Sequence, residues 1–295
     1  MQKSKPRLLI IGSRGFLGRV AAQCGLLEFE VIEGNRSIAG HPGEVKIDLR
    51  DESCVRHAFE AAWPDSVLLL SAISDIDRCQ QFPEEAKAVN LRGAEHVANA
   101  CARNNVRLLF TSTAAVFDGQ THGYSEESPV SPISVYGETK ALAEKPVLSL
   151  GPLAVVVRIA LVLGFAGRPG TNSLLDNLRE QWATSKTVAL PLFEQRNPID
   201  TVTAGRFMID LVKKRETRGI FHIGCKDPIS RYHLGVKLAS RMGYPGQVGP
   251  QYEPLPGRAP RGRDHYLLTD KISATCTIPI PTCDQVIERC FDGAA

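Results

Sequence analysis

A chain of 295 residues, 43% hydrophobic and 23% charged, can bury a large α/β domain plus a smaller lobe and has the balance of an ordinary globular protein. The formal net charge of +3 arises from Lys and Arg interspersed with Asp and Glu, without a basic tract, which argues against nucleic-acid and membrane partners. No run approaches the roughly 18 apolar residues that span a bilayer, and the apolar stretch at 8–11 is too short for a signal segment, so a cytoplasmic location is expected.

In chain order, residues 7–11 read as a buried strand and 16–26 as a helix. Strands are expected at 29–33 and 45–47, followed by a helix at 51–62. A strand at 67–70, a helix at 83–103, a strand at 107–111, a helix at 135–148 and a strand at 153–159 complete the alternation. Continuous apolar strands separated by helices indicate an α/β fold whose parallel sheet is covered on both faces. Beyond Leu163 the pattern breaks. Residues 164–170 have loop composition, a helix is expected from about 172, and a helix at 201–214 and a strand at 220–223 resume the order. The tail from 243, rich in Pro, Gly and Arg, reads as part of a looser second lobe.

Eight cysteines and seven histidines form neither a C-x-x-C nor an H-x-x-x-H pattern, so reduced thiols and no metal are expected. Cys276, Cys283 and Cys290 recur at intervals of seven, with no His nearby.

Directly after the first strand comes Gly12-Ser13-Arg14-Gly15-Phe16-Leu17-Gly18, and a helical pattern starts at once. A pyrophosphate needs close backbone approach, which glycine permits, and the amides and positive dipole of a helix start. Between a strand and a helix, this turn marks a Rossmann doubly wound dinucleotide site. The second strand leads into Asn35-Arg36, where a basic residue suits an adenosine 2′-phosphate; Arg14 would approach the same phosphate, and both favour NADPH. Glu33, the alternative acid for a ribose hydroxyl, sits slightly early. Asp48 and Leu49 would flank the adenine ring.

Tyr136 and Lys140 lie four apart, on one helix face. Ketone reduction needs a proton donor, and a nearby ammonium lowers the phenol's ordinary pKa of ~10 by favouring phenolate. Upstream, Thr113 follows the fifth strand, at the sheet edge where ligands bind, and would hydrogen-bond a substrate carbonyl.

The glycine turn, the strand-end Ser112-Thr113 and the Tyr136–Lys140 pair resemble the extended short-chain dehydrogenases/reductases. Within that group, the segments from Ser71 to Cys79, Glu85 to Asn90, Ser112 to Gly119, Val135 to Lys140, Val157 to Gly164 and Phe221 to Gly224 resemble the dTDP-4-dehydrorhamnose reductase-like branch. The resemblance implies residues 1–163 as the cofactor domain, with roughly 186–224 returning to it, and 164–185 and 225–295 as a smaller C-terminal substrate lobe. It implies NADPH-dependent reduction of a 4-keto nucleotide sugar, with Thr113, Tyr136 and Lys140 catalytic. Ser71, Ala72, Ile73 and Asn90 join the cofactor site, Asn172, Arg261 and Arg263 would hold the substrate, and a homodimer stays open. Where the branch commonly carries Asp-Tyr after its Thr and Asn-Ala-Ala after the fourth strand, this chain has Ala114-Ala115 and Ser71-Ala72-Ile73. The first change removes polar groups that would face the sugar, which opens the sugar's identity and leaves the reduction chemistry in place. The alternatives are a nucleotide-sugar epimerase or dehydratase, which would hold NAD tightly and which Arg14 and Arg36 argue against, and a non-catalytic regulatory subunit like the methionine adenosyltransferase β subunit.

Overall fold

The computed structural model describes residues 5–166, 172–184 and 187–292. The first half runs β1 (Arg7–Ile11), α1 (Phe16–Gly25), β2 (Glu30–Asn35), β3 (Glu44–Lys46), α2 (Glu52–Ala62), β4 (Ser66–Leu69), α3 (Ile76–Gln81), α4 (Pro83–Ala86), a π-helical turn (Lys87–Arg92), α5 (Gly93–Asn104), β5 (Arg107–Thr113) and α6 (Val135–Leu148). The second runs β6 (Ala154–Ile159), β7 (Leu161–Leu163), α7 (Leu174–Thr184), β8 (Thr187–Pro191), β9 (Gln195–Arg196), β10 (Pro198–Asp200), α8 (Thr201–Lys213), β11 (Gly219–Ile223), β12 (Ile229–Ser230), α9 (Arg231–Arg241), β13 (Gln247–Gln251), β14 (Asp264–His265), α10 (Asp270–Thr275) and α11 (Cys283–Asp292).

The expected parallel sheet is present, with seven strands in the order β11-β6-β5-β4-β1-β2-β3, every pair parallel. Side chains alternate between its faces, and each face has its own apolar cluster. Leu8, Ile10, Leu68, Leu109, Val155 and Val157 pack on one side with Ala21 of α1 and Phe207, Met208 and Leu211 of α8. Leu9, Ile11, Val67, Leu69, Leu108 and Phe110 pack on the other with Val55 of α2, Val97 of α5 and Ala143 of α6. Burial on both faces is why the strands carry no polar alternation.

Three local features depart from the expected pattern. The stretch 83–103 is not one regular helix, because the π turn inserts between α4 and α5; such a bulge turns Asn90 into the core, where it is buried. Helix α3 was not anticipated; Asp75 caps it by accepting from the Arg78 amide at 2.9 Å. Strand β5 continues two residues past 111 to Thr113.

Outside the main sheet, β8 pairs with β13 and packs under α9. The helix expected from about 172 starts at Leu174; of the loop expected at 164–170, residues 167–170 lie outside the described residues. The tail is less loose than its composition suggests. Ile272 of α10 and Cys283, Val286, Ile287 and Cys290 of α11 join the same apolar cluster as β6 and α8, and Cys276 joins them. The sevenfold cysteine spacing is therefore a packing pattern, and all eight cysteines are free thiols. Among the described residues no helix is long and apolar enough to cross a membrane.

Candidate active site

A cavity of about 1070 Å³ opens at the C-terminal ends of the sheet strands and runs from the glycine turn to the α7, α9 and 251–265 segments. At one end, each glycine of the turn answers a steric demand. Gly12 has φ +92°, and a Cβ there would meet the Ser71 amide at 2.9 Å; a Cβ on Gly18 would lie 2.1 Å from the Gly12 carbonyl. Helix α1 therefore starts tight against β1 and β4. Its cap, Gly15, has no side chain to cover the first amides, and Phe16, Leu17 and Gly18 line the cavity beside it. This is the geometry that a pyrophosphate requires.

Asn35, Arg36 and Ser37 continue the wall at the end of β2. Asn35 accepts from the Arg14 amide at 3.1 Å and donates to Ser13 at 2.7 Å, and Ser13 donates to Glu33 at 2.9 Å. Glu33 is thus spent beneath the turn and does not line the cavity. The Arg14 guanidinium lines it while donating to the Ser37 carbonyl at 3.0 Å and pairing with Glu44.

Midway along the cavity stand Thr113, Tyr136 and Lys140. Thr113 ends β5 and caps the next turn by accepting from the Ala115 amide at 3.1 Å. Ser134 caps α6 by accepting from the Gly137 amide at 3.2 Å, which sets Tyr136 in the first turn. Gly137 lets α6 seat against the Thr113–Ala115 turn, since a Cβ there would lie 2.1 Å from the Ala115 carbonyl. The Tyr136 hydroxyl reaches the Thr113 side chain; contrary to the lowering expected from Lys140, the phenol is pushed up to about 12, because loss of hydration on burial dominates. Lys140, one turn on, is 2% exposed, and burial pushes its ammonium down to about 7. An enclosed phenol and ammonium beside a hydroxyl can pass a proton to an oxygen anion formed among them.

The far end is basic, and most of its groups were missed in the sequence. Arg196 is buried, donating to the Gln195 and Gly262 carbonyls at 2.7 and 3.1 Å beside Glu194. Arg231, which starts α9, also stands by Glu194, its backbone amide donating to the Glu194 carbonyl at 2.9 Å. Across the cleft, Asp77 of α3 takes Arg258 and Arg261, each with a contact at 2.9 Å, and the Arg261 hydrogen bonds hold its carboxyl well below the usual range. Asn172 donates to the Ser74 carbonyl at 3.2 Å from the same rim. Among the described residues, seven Arg and Lys and three Asp and Glu line the cavity. These residues come from separate segments without a local motif; of the arginines here only Arg261 was expected from the sequence, paired there with Arg263.

The cavity gathers Gly12, Arg14, Gly15, Phe16, Leu17, Gly18, Asn35, Arg36, Ser71, Ala72, Thr113, Tyr136, Lys140, Asn172 and Arg261. It does not gather Asp48, Leu49, Ile73, Asn90 or Arg263. Arg50 pairs with Asp48 and holds it down to about 2, while Leu49 is packed in the core against Gly93. Asn90 clamps the Ile73 backbone, accepting from its amide at 2.8 Å and donating to its carbonyl at 3.0 Å, and so shapes the loop that carries Ser71 and Ala72. Arg263 is exposed over the Phe193 ring. Of the two alanines after Thr113, Ala114 is buried away from the cavity and only Ala115 lines it.

The sequence is 28% identical over 258 residues to a dTDP-4-dehydrorhamnose reductase of Sinorhizobium fredii, covering 84% of this chain and 86% of that protein. It is 25% identical over 249 residues to methionine adenosyltransferase 2 subunit beta of Bos taurus, covering 81% and 73%. The fold superposes on a Bacillus anthracis dTDP-4-dehydrorhamnose reductase crystallised with NADP, with a TM-score of 0.88 at 20% identity over 98% of this chain and 99% of that one. The family described as RmlD substrate binding domain matches residues 6–295, and the chain belongs to that family.

Proposed function

We propose that this protein is an NADPH-dependent reductase of a 4-keto nucleotide sugar, working in the cytoplasm. The observation that carries the reading is the placement of Thr113, Tyr136 and Lys140 on one wall, between a glycine turn fit for pyrophosphate and a cluster of arginines. The reductase of S. fredii supports the substrate class, and the NADP held by the B. anthracis enzyme supports the cofactor.

The turn residues Gly12, Gly15 and Gly18 would hold the cofactor pyrophosphate, and Arg36 with Arg14 its 2′-phosphate. Bound there, NADPH supplies the hydride that reduces the ketone carbon. Thr113 holds the carbonyl oxygen, and the Tyr136 hydroxyl gives its proton to that oxygen as it gains charge. Lys140 stabilises the tyrosinate left behind. Arg196, Arg231 and Arg261 would take the substrate diphosphate, whose geometry matches a guanidinium fork. Ala115 leaves an apolar spot on the sugar side.

The test is loss of 340 nm absorbance when the purified protein meets NADPH and dTDP-4-dehydrorhamnose, with the reduced sugar nucleotide identified by mass. The likeness to methionine adenosyltransferase subunit beta supports a second reading, a regulatory subunit. No turnover, together with capture of a methionine adenosyltransferase from the native host, would replace the first reading with the second.

A further inference from the structure

Helix α6 carries a third group on the face of Tyr136 and Lys140. Glu144 follows Lys140 by four residues, the spacing at which helical side chains meet. It is buried, 4% exposed, and anchored from two strands. Ser112 of β5, the neighbour of Thr113, donates to its Oε1 at 2.5 Å. Arg158 of β6 grips it with Nε to Oε1 at 2.9 Å and Nη2 to Oε2 at 2.7 Å. A carboxylate is costly to bury, so a core site holding one so fully bonded indicates a charge with a task. Lys140 is the other buried charge on this face.

We propose that Glu144 is a positioning residue for the proposed reaction, supplying the counter-charge that holds the Lys140 ammonium at the cavity wall. The groups facing Lys140 are few. Tyr136 and Glu144 flank it on α6, the Phe110 ring lies beneath it from β5, and Cys79 approaches from α3. Burial and Cys79 aside, Glu144 is the charge that acts on Lys140, and it favours the protonated form. Arg158 works in the opposite sense, drawing off part of the carboxylate's field. The same carboxylate ties β5, which carries Thr113, to α6, which carries Tyr136. Electrostatic support and alignment thus come from one side chain that never touches the substrate.

A purely structural staple would give the same contacts, so the test reads the charge. Trace acetylation with acetic anhydride, followed by peptide mass spectrometry, gives the pH at which Lys140 is half reactive. Glu144→Gln keeps the shape and an acceptor for Ser112 but removes the charge; the labelling curve should move down by about one pH unit. Arg158→Gln leaves Glu144 unneutralised, and the curve should move up by a similar amount. If Glu144→Gln does not fold, Arg158→Gln carries the test by itself. Curves that superimpose on wild type would overturn the proposal. This inference rests on the reductase reading only for its purpose. Labelling needs no substrate, so a shift without turnover would condemn the reductase reading and leave the Glu144–Lys140 coupling standing.

Discussion

The Lys140 ammonium sits 4.0 Å from the centroid of the Phe110 ring, facing the cavity on one side and the sheet core on the other. A ring face offsets part of the lost hydration, but burial still pushes the group from 10.5 down to about 7. Between those two values the unfolded chain binds a proton that the folded chain lacks, so stability rises with pH through this window. Below pH 7 both states are protonated and the cost of the buried charge is fully felt. Lys140→Met should therefore be more stable than wild type at pH 6, by up to about 4 kcal/mol. The gap should shrink through pH 9 and vanish above about 10.5. Urea denaturation at three pH values checks this, and a gap independent of pH would contradict it.

Tyr136→Phe keeps the ring and removes the proton donor. In the reductase reading kcat should fall by about 10²–10⁴, with NADPH affinity within a factor of two or so of wild type. Steady-state kinetics and a fluorescence titration of NADPH measure the two quantities separately. Retention of a third or so of the turnover would exclude Tyr136 as the acid.

Gly137→Ala examines alignment without altering Thr113, Tyr136 or Lys140. Its Cβ would lie 2.1 Å from the Ala115 carbonyl, so α6 must back away from the turn that carries Thr113. The expected result is a loss of roughly 1–3 kcal/mol of stability and a drop in kcat of about 10², because reacting groups tolerate little displacement. Circular dichroism melts and kcat at 25 °C read both. A stability loss with unchanged kcat would show that the Thr113–Tyr136 contact is unimportant for turnover.

The two arginines proposed for the 2′-phosphate should behave differently. Arg36 is exposed at the cavity edge, whereas Arg14 is tied to Ser37 and Glu44. Arg36→Ala should weaken NADPH by about tenfold and leave NADH nearly unchanged, with high salt mimicking part of the loss. Arg14→Ala should also release the 37–44 loop and weaken both cofactors. Parallel losses for both cofactors in Arg36→Ala would remove it from the 2′-phosphate site.

Away from the site, Arg107 is 1% exposed and donates to the Leu211, Lys214 and Thr217 carbonyls at 3.0, 3.1 and 2.6 Å, closing the end of α8. Arg107→Met should cost about 3 kcal/mol in chemical denaturation while kcat at 25 °C holds. A cost below about 1 kcal/mol would show that solvent replaces the guanidinium easily.

What the chain reveals without a structure is whatever depends on near neighbours. The β1–α1 glycine turn, the bounds of α6 and the spacing of Tyr136 and Lys140 were legible because strand burial, helix periodicity and turn sterics act over a few residues. The place of Thr113 on the cavity wall was legible by the same logic, as a hydroxyl at a strand end. The arginine cluster was legible only at Arg261: Arg196, Arg231 and Arg258 join it when β9, α9 and the 251–265 segment fold over the cleft, and Asp77 meets them from a helix that had no periodic signal. Asn90 and Arg263 show the converse, since each has a residue type suited to ligand binding and is instead placed by the fold on the Ile73 backbone and on the Phe193 ring. In the sequence Glu144 is one more helix carboxylate; β5 and β6 bring Ser112 and Arg158 to it only in the fold. Local sterics and periodicity choose the elements, but which charges share a buried space depends on contacts between residues far apart in the chain, and only the packed structure decides those.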